Sequence, residues 1–520
     1  PLTYHPPRRR LLDYINWHAR SCRNNHKGGK NLAIIGIIFA LYLGLMVLIG
    51  LKYYSKTSNI SDYILGGRKL NSWVAAMSAQ ASDMSGWLLL GLPGTAYILY
   101  TGTSEAIWTA IGLWIGTYLN WLFVAKRLRS YTQVASDALT LPDFFEKRFR
   151  DGKHILRSIS AIYIVIFFLV YTSSQFAAGG KLFSTIFGMN YVVGMIIGAV
   201  IILAYTALGG FTAVCWTDTI QGTIMFFALI IVPIVAVVNM DGWDQVQVRL
   251  ADLTPESLGF FPEADGKINT LLLASCLGWG LGYFGQPHIL ARFMGIESPE
   301  AIGKSRVIAM VWVTVTLGCA ILVGIIGKAM MPDLADPETV FMNMLTAMFH
   351  PVIAGLLMTA ILAAIMSTAS SQLLVSASSV SKDLFATLLK IDDKDPRLVW
   401  ASRLTVAAIA VVAMIIALNP ASSVFGLVAS AWGGFGAAFG PIILFSLFWR
   451  RMTRPGAIAG MLAGGLTDIF WFSNSGGIFD IYEIIPGFLA GSLVIVVVSL
   501  LTKPDPEMVE EFDRVKTTKF

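Results

Sequence analysis

The chain has 520 residues, of which 55% are hydrophobic and only 13% are charged. A soluble globular domain carries about 25% charged residues, so this composition excludes an ordinary soluble protein and indicates an integral membrane protein. The formal net charge of +6 owes much to a basic stretch within the first 30 residues.

Thirteen apolar segments follow that basic stretch. A hydrocarbon core about 30 Å thick needs roughly 20 mostly apolar residues per helix, and alternating strands are scarce, so we predict an all-α membrane protein rather than a barrel. The predicted transmembrane helices cover residues 32–51, 73–98, 104–124, 156–178, 191–208, 219–238, 269–291, 305–327, 352–380, 399–418, 424–448, 455–473 and 484–501.

Lys and Arg residues are distributed unevenly between the two sides of this predicted bundle. The odd-numbered loops, the helix ends that flank them and the C-terminal tail hold 27 basic residues, whereas the even-numbered loops hold 4. Because basic loops stay in the cytoplasm, we expect the N-terminus outside and the C-terminus inside. The 7 basic residues of positions 1–30 conflict with this orientation. Either that tail is an added or atypical extension, or the number of helices is miscounted. The distribution of basic residues in the later loops favours the count of thirteen helices.

Several classes of protein are disfavoured by the residue types. The four cysteines have no CxxC spacing, so neither a disulfide framework nor a zinc site is predicted. Only six histidines occur, too few near the apolar segments for paired haem ligands. The stretch "SPEAIGKS" at 298–305 has serine where a Walker A loop needs its first glycine, which argues against an ATP-driven pump. The arginines at 8–10 are interpreted as a solvated tail rather than a nucleic-acid or lipid site.

Segments 2 and 7 are interrupted by residues that are unusual in lipid. Segment 2 contains Asp83 together with Ser82, Ser85, Gly86, Gly91 and Pro93, and segment 7 contains four glycines and Pro287. Transporters often bind substrate where two helices are broken in this way, although glycine also simply allows close helix packing. Because the two segments stand five helices apart, we predict a five-plus-five core with inverted repeats at 73–238 and 269–448. Residues 31–54 and 453–502 would be peripheral helices, and 503–520 a cytoplasmic tail.

A cluster of hydroxyl groups lies in segment 9. Helical spacing places Ala364, Ser367, Thr368 and Ser371 on one face. Such hydroxyls often bond to their own helix. However, four of the five residues at 367–371 carry a hydroxyl group, and such a cluster also suits a cage of weakly charged oxygens for a monovalent cation. We therefore expect a Na⁺ site where this face meets the break in segment 2, with Asp83 adding negative potential.

Seven stretches of the chain resemble the solute:sodium symporter family, and specifically its proline branch. They are "DYILGGRKL" at 62–70, "ASDMSGWLLLGLPG" at 81–94, "ALTLPDFFEKRF" at 138–149, "GGFTAVCWTDTIQ" at 209–221, "GWGLGYFGQPHILARF" at 278–293, "ILAAIMST" at 361–368 and "AWGGFGAAFGP" at 431–441. The resemblance implies a thirteen-helix fold with the inverted core described above.

The resemblance also implies the residues of a sodium site. The ligands would be the carbonyls of Ala81, Met84 and Ala364 and the hydroxyls of Ser367 and Thr368. Asp83 matches an aspartate needed for sodium coupling, and Arg68 matches a cytoplasmic arginine that affects coupling. Some relatives bind a second sodium, which here would use Asp218, Ser370 and Ser371; alternatively, Asp218 caps a helix that starts near Thr219.

The resemblance also implies a group of residues that would bind the substrate, proline. The apolar pyrrolidine ring of proline would pack on the aromatic faces in this group. Simple bundle packing of the aromatic residues, and a mere kink at the proline, are the alternatives. The group comprises Ser85, Gly86, Trp87, Gly91, Tyr171, Trp279, Tyr283 and Pro287.

Taken together, the resemblance implies a transporter without enzymatic activity. It would sit in the bacterial inner membrane and couple Na⁺ entry to L-proline uptake by alternating access. Uptake of pantothenate, a sugar or sialic acid, a sodium-independent channel, and a nutrient sensor are the alternatives. The sequence indicates contact with membrane lipid and no nucleic-acid partner, and it leaves the oligomeric state open.

Overall fold

The computed structural model describes residues 28–54, 60–253, 259–264, 266–387, 391, 395, 397–419 and 423–517. Almost all of the predicted basic tail therefore lies outside the described residues. Within them the chain is mostly helical, and the structure describes one short antiparallel hairpin, formed by β1 (Glu263–Ala264) and β2 (Lys267–Ile268).

The α-helices are numbered in chain order. They are α1 (Gly28–Tyr54), α2 (Ile60–Leu65), α3 (Ser72–Gly86), α4 (Leu92–Tyr97), α5 (Thr101–Leu119), α6 (Ala125–Val134), α7 (Leu141–Arg148), α8 (Ile155–Phe187), α9 (Tyr191–Asn239), α10 (Trp243–Leu253), α11 (Thr270–Gly278), α12 (Pro287–Gly295), α13 (Ala301–Met330), α14 (Val340–Met348), α15 (Pro351–Ser378), α16 (Arg397–Ile416), α17 (Val424–Phe448), α18 (Arg454–Phe472), α19 (Ile484–Leu501) and α20 (Pro506–Thr517).

Some of these α-helices are followed without a break by turns of π or 3₁₀ geometry. Wide π-type turns follow α3, α5 and α15, at Trp87–Gly91, Asn120–Val124 and Ser379–Ala386, and a 3₁₀ turn at Trp279–Gly285 joins α11 to α12. Short 3₁₀ turns also occur at Gly66–Arg68, Pro337–Thr339 and Gly477–Asp480. Both apolar segments that the sequence marks as interrupted thus contain such a turn.

Eight helices among the described residues are long and apolar enough to cross a membrane. Three shorter apolar helices accompany them, at Tyr191–Ala204, Thr270–Gly285 and Trp400–Ile416. These lengths are those expected of a multi-pass membrane protein, whose spanning helices need roughly 20 residues. The bounds of α17 and α19 coincide with predicted segments 11 and 13, while the count of thirteen stays a prediction.

The structure has the two helical parts expected for segments 5 and 6, but they meet at Gly210 instead of being separated by a loop at 209–218. Helix α9 comprises both parts and is kinked at Gly210, which has φ 62° and ψ −174°. This positive φ favours glycine, and an added Cβ there would lie 3.0 Å from the Tyr63 ring. Asp218 consequently lies inside a helix, so its alternative role as the cap of a helix starting near Thr219 is wrong.

The most buried helices occupy the centre of the bundle. Helix α15 is apolar or small on nearly all sides and is buried along most of its length, and α3 is buried at all but one of its residues. A helix that is apolar all round belongs in such an interior. Helix α3 packs against α9, α12, α13 and α15, whereas α1 and α19 expose most of their surface. The two sequences with the most unusual polar residues, in segments 2 and 9, therefore meet in the core.

Candidate functional site

The helical path of α3 is interrupted at Ser85, which has φ 54° and ψ −174°. A non-glycine residue in this region of backbone space is strained and persists only where its surroundings hold it. Helix α8 supplies that support. The Tyr171 hydroxyl donates to the Asp83 carbonyl at 3.2 Å, and the Gly86 N–H donates to Gln175 Oε1 at 3.0 Å. Because Tyr171 and Gln175 are four residues apart, one face of α8 satisfies the backbone groups that the interruption releases.

Oxygen atoms from α3 and α15 converge beside this interruption. Ser367 Oγ donates to the Ala81 carbonyl at 2.7 Å and lies 3.2 Å from the Ala364 carbonyl. Thr368 Oγ1 lies 3.5 Å from the same Ala81 carbonyl. All four residues are buried. Among the described contacts, none brings the Met84 carbonyl into this oxygen cluster; it accepts the Trp87 N–H within the turn.

A cavity of about 230 Å³ lies next to the interruption. Its walls are mainly aromatic, with Trp87 and Trp279 ring centroids 5.5 Å apart. A pocket of this kind, apolar with a few polar groups, is typical of small-molecule sites. The lining residues are Asp83, Met84, Ser85, Trp87, Leu113, Tyr171, Trp279, Tyr283, Val428 and Trp432. Five of the eight residues predicted for the substrate are therefore brought together here.

Asp83 lies on the cavity side of α3. Its Oδ2 accepts a hydrogen bond from the Tyr283 hydroxyl at 2.7 Å, and the residue is buried. A buried carboxylate needs such a partner, because leaving it without one is costly. The interrupted regions of segments 2 and 7 are thus linked by a single charge-assisted bond. Asp83 stands two residues from Ala81, whose carbonyl belongs to the oxygen cluster.

Gly86, Gly91 and Pro287 do not line the aromatic cavity. Gly86 faces α8, where an added Cβ would lie 3.1 Å from the Ala178 Cβ. An added Cβ on Gly91 would lie 2.9 Å from Trp87 Cδ1, so this glycine makes room for the indole. Pro287 begins α12 and lines a different cavity, of about 380 Å³.

Trp432 is a cavity residue that sequence reasoning did not single out. Its Nε1 donates to the Trp279 carbonyl at 2.8 Å, and its ring packs edge-on against Tyr283 at 5.0 Å. An added Cβ on Gly282 would overlap the Trp432 indole, which explains a glycine at that position. The available signal was a tryptophan within the glycine-rich stretch at 431–441. Gln175 and Phe425 were missed as well, and Phe425 packs on Trp279 at 5.3 Å.

Arg68 ties three parts of the chain together at the end of the bundle that we predict to be cytoplasmic. Its guanidinium bonds to Asp137 Oδ1 at 2.8 Å, to the Ala138 carbonyl at 2.8 Å and to the Met294 carbonyl at 2.7 Å. Next to it, a parallel bridge joins Leu70 to Ile296. These contacts hold the ends of α3, α6 and α12 together.

Of the residues named for a second sodium, the structure brings Asp218 and Ser371 to the same arginine, and Ser370 bonds elsewhere. Asp218 and Ser371 both contact Arg292, whose Nη2 lies 3.1 Å from Asp218 Oδ2 and 2.5 Å from Ser371 Oγ. Ser370 instead donates to the Ser367 carbonyl at 3.1 Å. Sequence reasoning missed Arg292 because it lies one residue beyond the predicted end of segment 7.

Comparisons with known proteins agree with this architecture. The Sodium:solute symporter family matches residues 63–464. The chain is 47% identical over 485 residues to a sodium/proline symporter of Escherichia coli (strain K12), with 92% of this chain and 95% of that protein covered. It is 46% identical to one of Salmonella typhimurium, at the same coverage, and 45% identical to one of Staphylococcus aureus, with 91% and 94% covered.

Solved structures show a similar fold at low sequence identity. A substrate-bound, outward-open Na⁺-coupled sialic acid symporter superposes with a TM-score of 0.74 at 17% identity, covering 91% of this chain and 98% of that one. A nucleobase-cation-symport-1 family transporter superposes with a TM-score of 0.54 at 14% identity, covering 88% and 98%. From the matched residues and the identities of these relatives, the chain belongs to the sodium:solute symporter family.

Proposed function

We propose that this protein couples the inward movement of Na⁺ to the uptake of L-proline by alternating access. One observation carries the proposal: the oxygen cluster and the aromatic cavity share a single strained stretch of α3, residues 81–87. The relatives that carry the name sodium/proline symporter are 45–47% identical over more than nine-tenths of the chain, which supports the same ion and substrate.

Sodium is proposed to bind at the carbonyls of Ala81, Met84 and Ala364 and the hydroxyls of Ser367 and Thr368. The donor set suits a hard monovalent cation, since it is made only of oxygen and carries no formal charge of its own. Ser367 now donates to the Ala81 carbonyl at 2.7 Å, so a cation would take over both oxygens and turn the hydroxyl lone pairs inward. Asp83 would supply negative potential from two residues away.

Proline is proposed to occupy the aromatic cavity. The faces of Trp87 and Trp279 offer apolar contact for the pyrrolidine ring, and the hydroxyls of Tyr171 and Tyr283 are donors within the same walls. Both hydroxyls bond to Asp83, one to its carbonyl and one to its carboxylate. A substrate carboxylate that competes for these donors would act directly on the stretch that carries the sodium ligands. Binding of each ligand would thereby favour binding of the other.

We further propose thirteen transmembrane helices in the bacterial inner membrane, with the N-terminus outside and the C-terminus in the cytoplasm. Inverted repeats would span 73–238 and 269–448. The basic loops support this orientation, and the interruptions at Ser85 and before Pro287, in the first helix of each repeat, support the inverted repeats. Arg68 would then close the cytoplasmic side and affect coupling.

The coupling free energy is adequate for strong accumulation. One Na⁺ entering with one zwitterionic proline moves one net charge, which yields about 2.3 kcal/mol at about −100 mV. A roughly tenfold sodium gradient adds about 1.4 kcal/mol. The total corresponds to several-hundredfold accumulation without ATP.

The test is uptake of labelled proline into proteoliposomes that contain the purified protein. We expect accumulation only with an inward Na⁺ gradient, and increased accumulation when the interior is made negative. Excess unlabelled proline should abolish the signal, while excess pantothenate, glucose or sialic acid should leave it unchanged. Uptake that ignores sodium, or that a proton gradient drives equally well, would refute the coupling; inhibition by one of the other solutes would reassign the substrate.

A further inference from the structure

Two carboxylates approach each other where α17, α18 and α19 pack together. An added Cβ on Gly433 of α17 would lie 3.2 Å from Asp468 Oδ1 of α18 and 3.4 Å from Oε1 of Glu483, which directly precedes α19. On the side of α19, an added Cβ on Gly487 would lie 3.3 Å from the Asp468 Cβ. The two glycines therefore leave one small space that both acidic side chains border.

The carboxylate of Asp468 lacks a counter-charge in this position. Its residue is 3% exposed, and Oδ1 has no hydrogen-bond partner among the residues that the structure describes. Helix α17 carries no titratable side chain. In the described part of the chain, the titratable groups that face the pair from other positions are the phenols of Tyr163, on α8, and Tyr482. A buried carboxylate without a counter-ion requires a cation or a proton.

A proton suits this site better than a metal cation. Sodium is a hard cation that needs several oxygen ligands, and the described contacts bring no hydroxyl or carbonyl group to Asp468 Oδ1. Two carboxylates that share a site keep one proton between them, because like charges repel there. Glu483 is half-buried and stands at the end of the bundle that we predict to be extracellular, so it can exchange a proton with outside water.

We propose that Asp468 and Glu483 form a proton-binding site that holds one proton and responds to the extracellular pH. The proton comes from outside water, adds to a carboxylate oxygen of the pair, and returns to water when the external pH rises. Loss of the proton leaves two negative charges in a space where their repulsion is weakly screened. That repulsion acts to separate α18 from the start of α19 beside Gly433.

The pair adjoins the aromatic cavity through two chain neighbours. Gly433 directly follows Trp432, which lines the cavity. Tyr482 directly precedes Glu483, and its ring packs on the Trp279 ring with centroids 5.4 Å apart. Repulsion within the pair therefore acts on both of these tryptophans, and we expect proline uptake to fall at alkaline external pH. This consequence rests on the proposed function, whereas the proton site itself does not.

Infrared spectra of the purified protein over a pH series report protonated carboxyl groups and test the site without transport. We expect the wild type to show a protonated-carboxyl band at neutral pH that Asp468→Asn lacks and that disappears in alkaline buffer. Saturation with Na⁺ should leave the difference between the two proteins unchanged, since the site takes a proton. Spectra that agree at neutral pH, or a difference that sodium removes, would overturn the proton site.

Proline uptake into proteoliposomes at a fixed Na⁺ gradient, internal pH and membrane potential tests the effect on transport. The wild-type rate should fall as the external pH rises, by up to about tenfold per unit of pH once the site is mostly ionised. Asp468→Asn and Glu483→Gln each remove the repulsion between like charges, so both should keep their neutral-pH rate in alkaline buffer. Asp480→Asn is the matched control and should follow the wild type, because Asp480 is exposed in the same loop and accepts the Gly476 N–H.

The remaining outcomes separate the site from the transport function. A wild-type rate that ignores external pH, or an alkaline loss that persists in both variants, would overturn control of uptake by the pair. If Asp468→Asn does not fold, Asp468→Ala replaces it in both assays, because it removes the charge without leaving a buried polar group. If the wild type fails to transport proline at any pH, the proposed function fails, and the infrared series still decides the proton site.

Discussion

Substitution of Ser367 by alanine tests the proposed sodium site most directly. The hydroxyl is fully buried and lies 2.7 Å from the Ala81 carbonyl, and it is one of five proposed ligands. A hydrogen-bonding group that faces a charge contributes about 1.5–3 kcal/mol. Since about 1.4 kcal/mol corresponds to a factor of ten, Ser367→Ala should raise the half-saturating Na⁺ concentration roughly 10- to 100-fold.

The assay is the initial rate of proline uptake into proteoliposomes at a series of external Na⁺ concentrations. Ser367 does not line the aromatic cavity, so proline affinity measured at saturating Na⁺ should stay close to that of the wild type. The predicted signature is therefore a large change in sodium dependence with a small change in proline dependence. A variant that affects folding alone would lower the amount of active protein and leave both dependences unchanged.

Ser378→Ala is the matched control within the same helix. Ser378 is also buried, but its hydroxyl donates to the Leu374 carbonyl of its own helix at 2.8 Å. Its loss should leave the half-saturating Na⁺ concentration within about twofold of the wild type, because such a local bond is worth only about 1 kcal/mol or less. An unchanged sodium dependence in Ser367→Ala, or an equal shift in both serine variants, would refute the proposed ligand set.

Three further predictions concern other parts of the structure. Gly282→Ala should weaken proline binding about fivefold or more in a binding assay, because its new Cβ would displace the Trp432 indole from the cavity wall, an overpacking that costs about 1–3 kcal/mol. Arg68→Ala removes the bonds that hold the predicted cytoplasmic ends of α3, α6 and α12, so it should raise sodium-independent proline efflux from loaded vesicles. Burial raises the pKa of Asp143, but the positive charges of Lys382 and two neighbouring cations outweigh it and hold the pKa below its usual value. Asp143 therefore stabilises the fold above its unfolded-state pKa, and this contribution is lost as pH falls through the lower folded-state pKa; Asp143→Asn should lower the melting temperature at neutral pH and much less in acid.

The helices that the sequence predicted best are those with simple boundaries. Helices α17 and α19 begin and end at the residues predicted from hydropathy, because each runs from a polar stretch through an apolar one to the next polar stretch. Hydropathy could not predict that the second part of α9 would begin at Gly210 and include residues 211–218. A run that includes Thr217 and Asp218 looks like a loop when each polar group is expected to need water. In the structure those groups are bonded inside the bundle, Thr217 to its own helix and Asp218 to Ser78 and Arg292.

The candidate site was predictable wherever a residue type is unusual for a membrane helix. Asp83, Ser367 and Thr368 stand out in apolar sequence because lipid penalises them, and the structure brings them into adjoining positions beside the interruption at Ser85. Trp432 carried no comparable signal, since an aromatic residue is ordinary in a membrane helix. Its place in the cavity depends on the space left by Gly282, on another segment of the chain, and such a pairing is a tertiary property that no single stretch reveals.

The geometry around Ser85 suggests why a strained residue stands at this point. The carbonyl of Ala81 belongs to the oxygen cluster proposed to bind sodium, and Asp83 and Trp87 line the cavity proposed to bind proline, so the interruption turns neighbouring residues of one helix towards two sites. An unbroken helix would satisfy those carbonyls internally and leave none for an ion. At the proposed sites both ligands would contact the same few residues, so binding of one would change the backbone that the other meets. Coupling between sodium and proline then needs no long pathway, since both equilibria act on one short stretch of backbone.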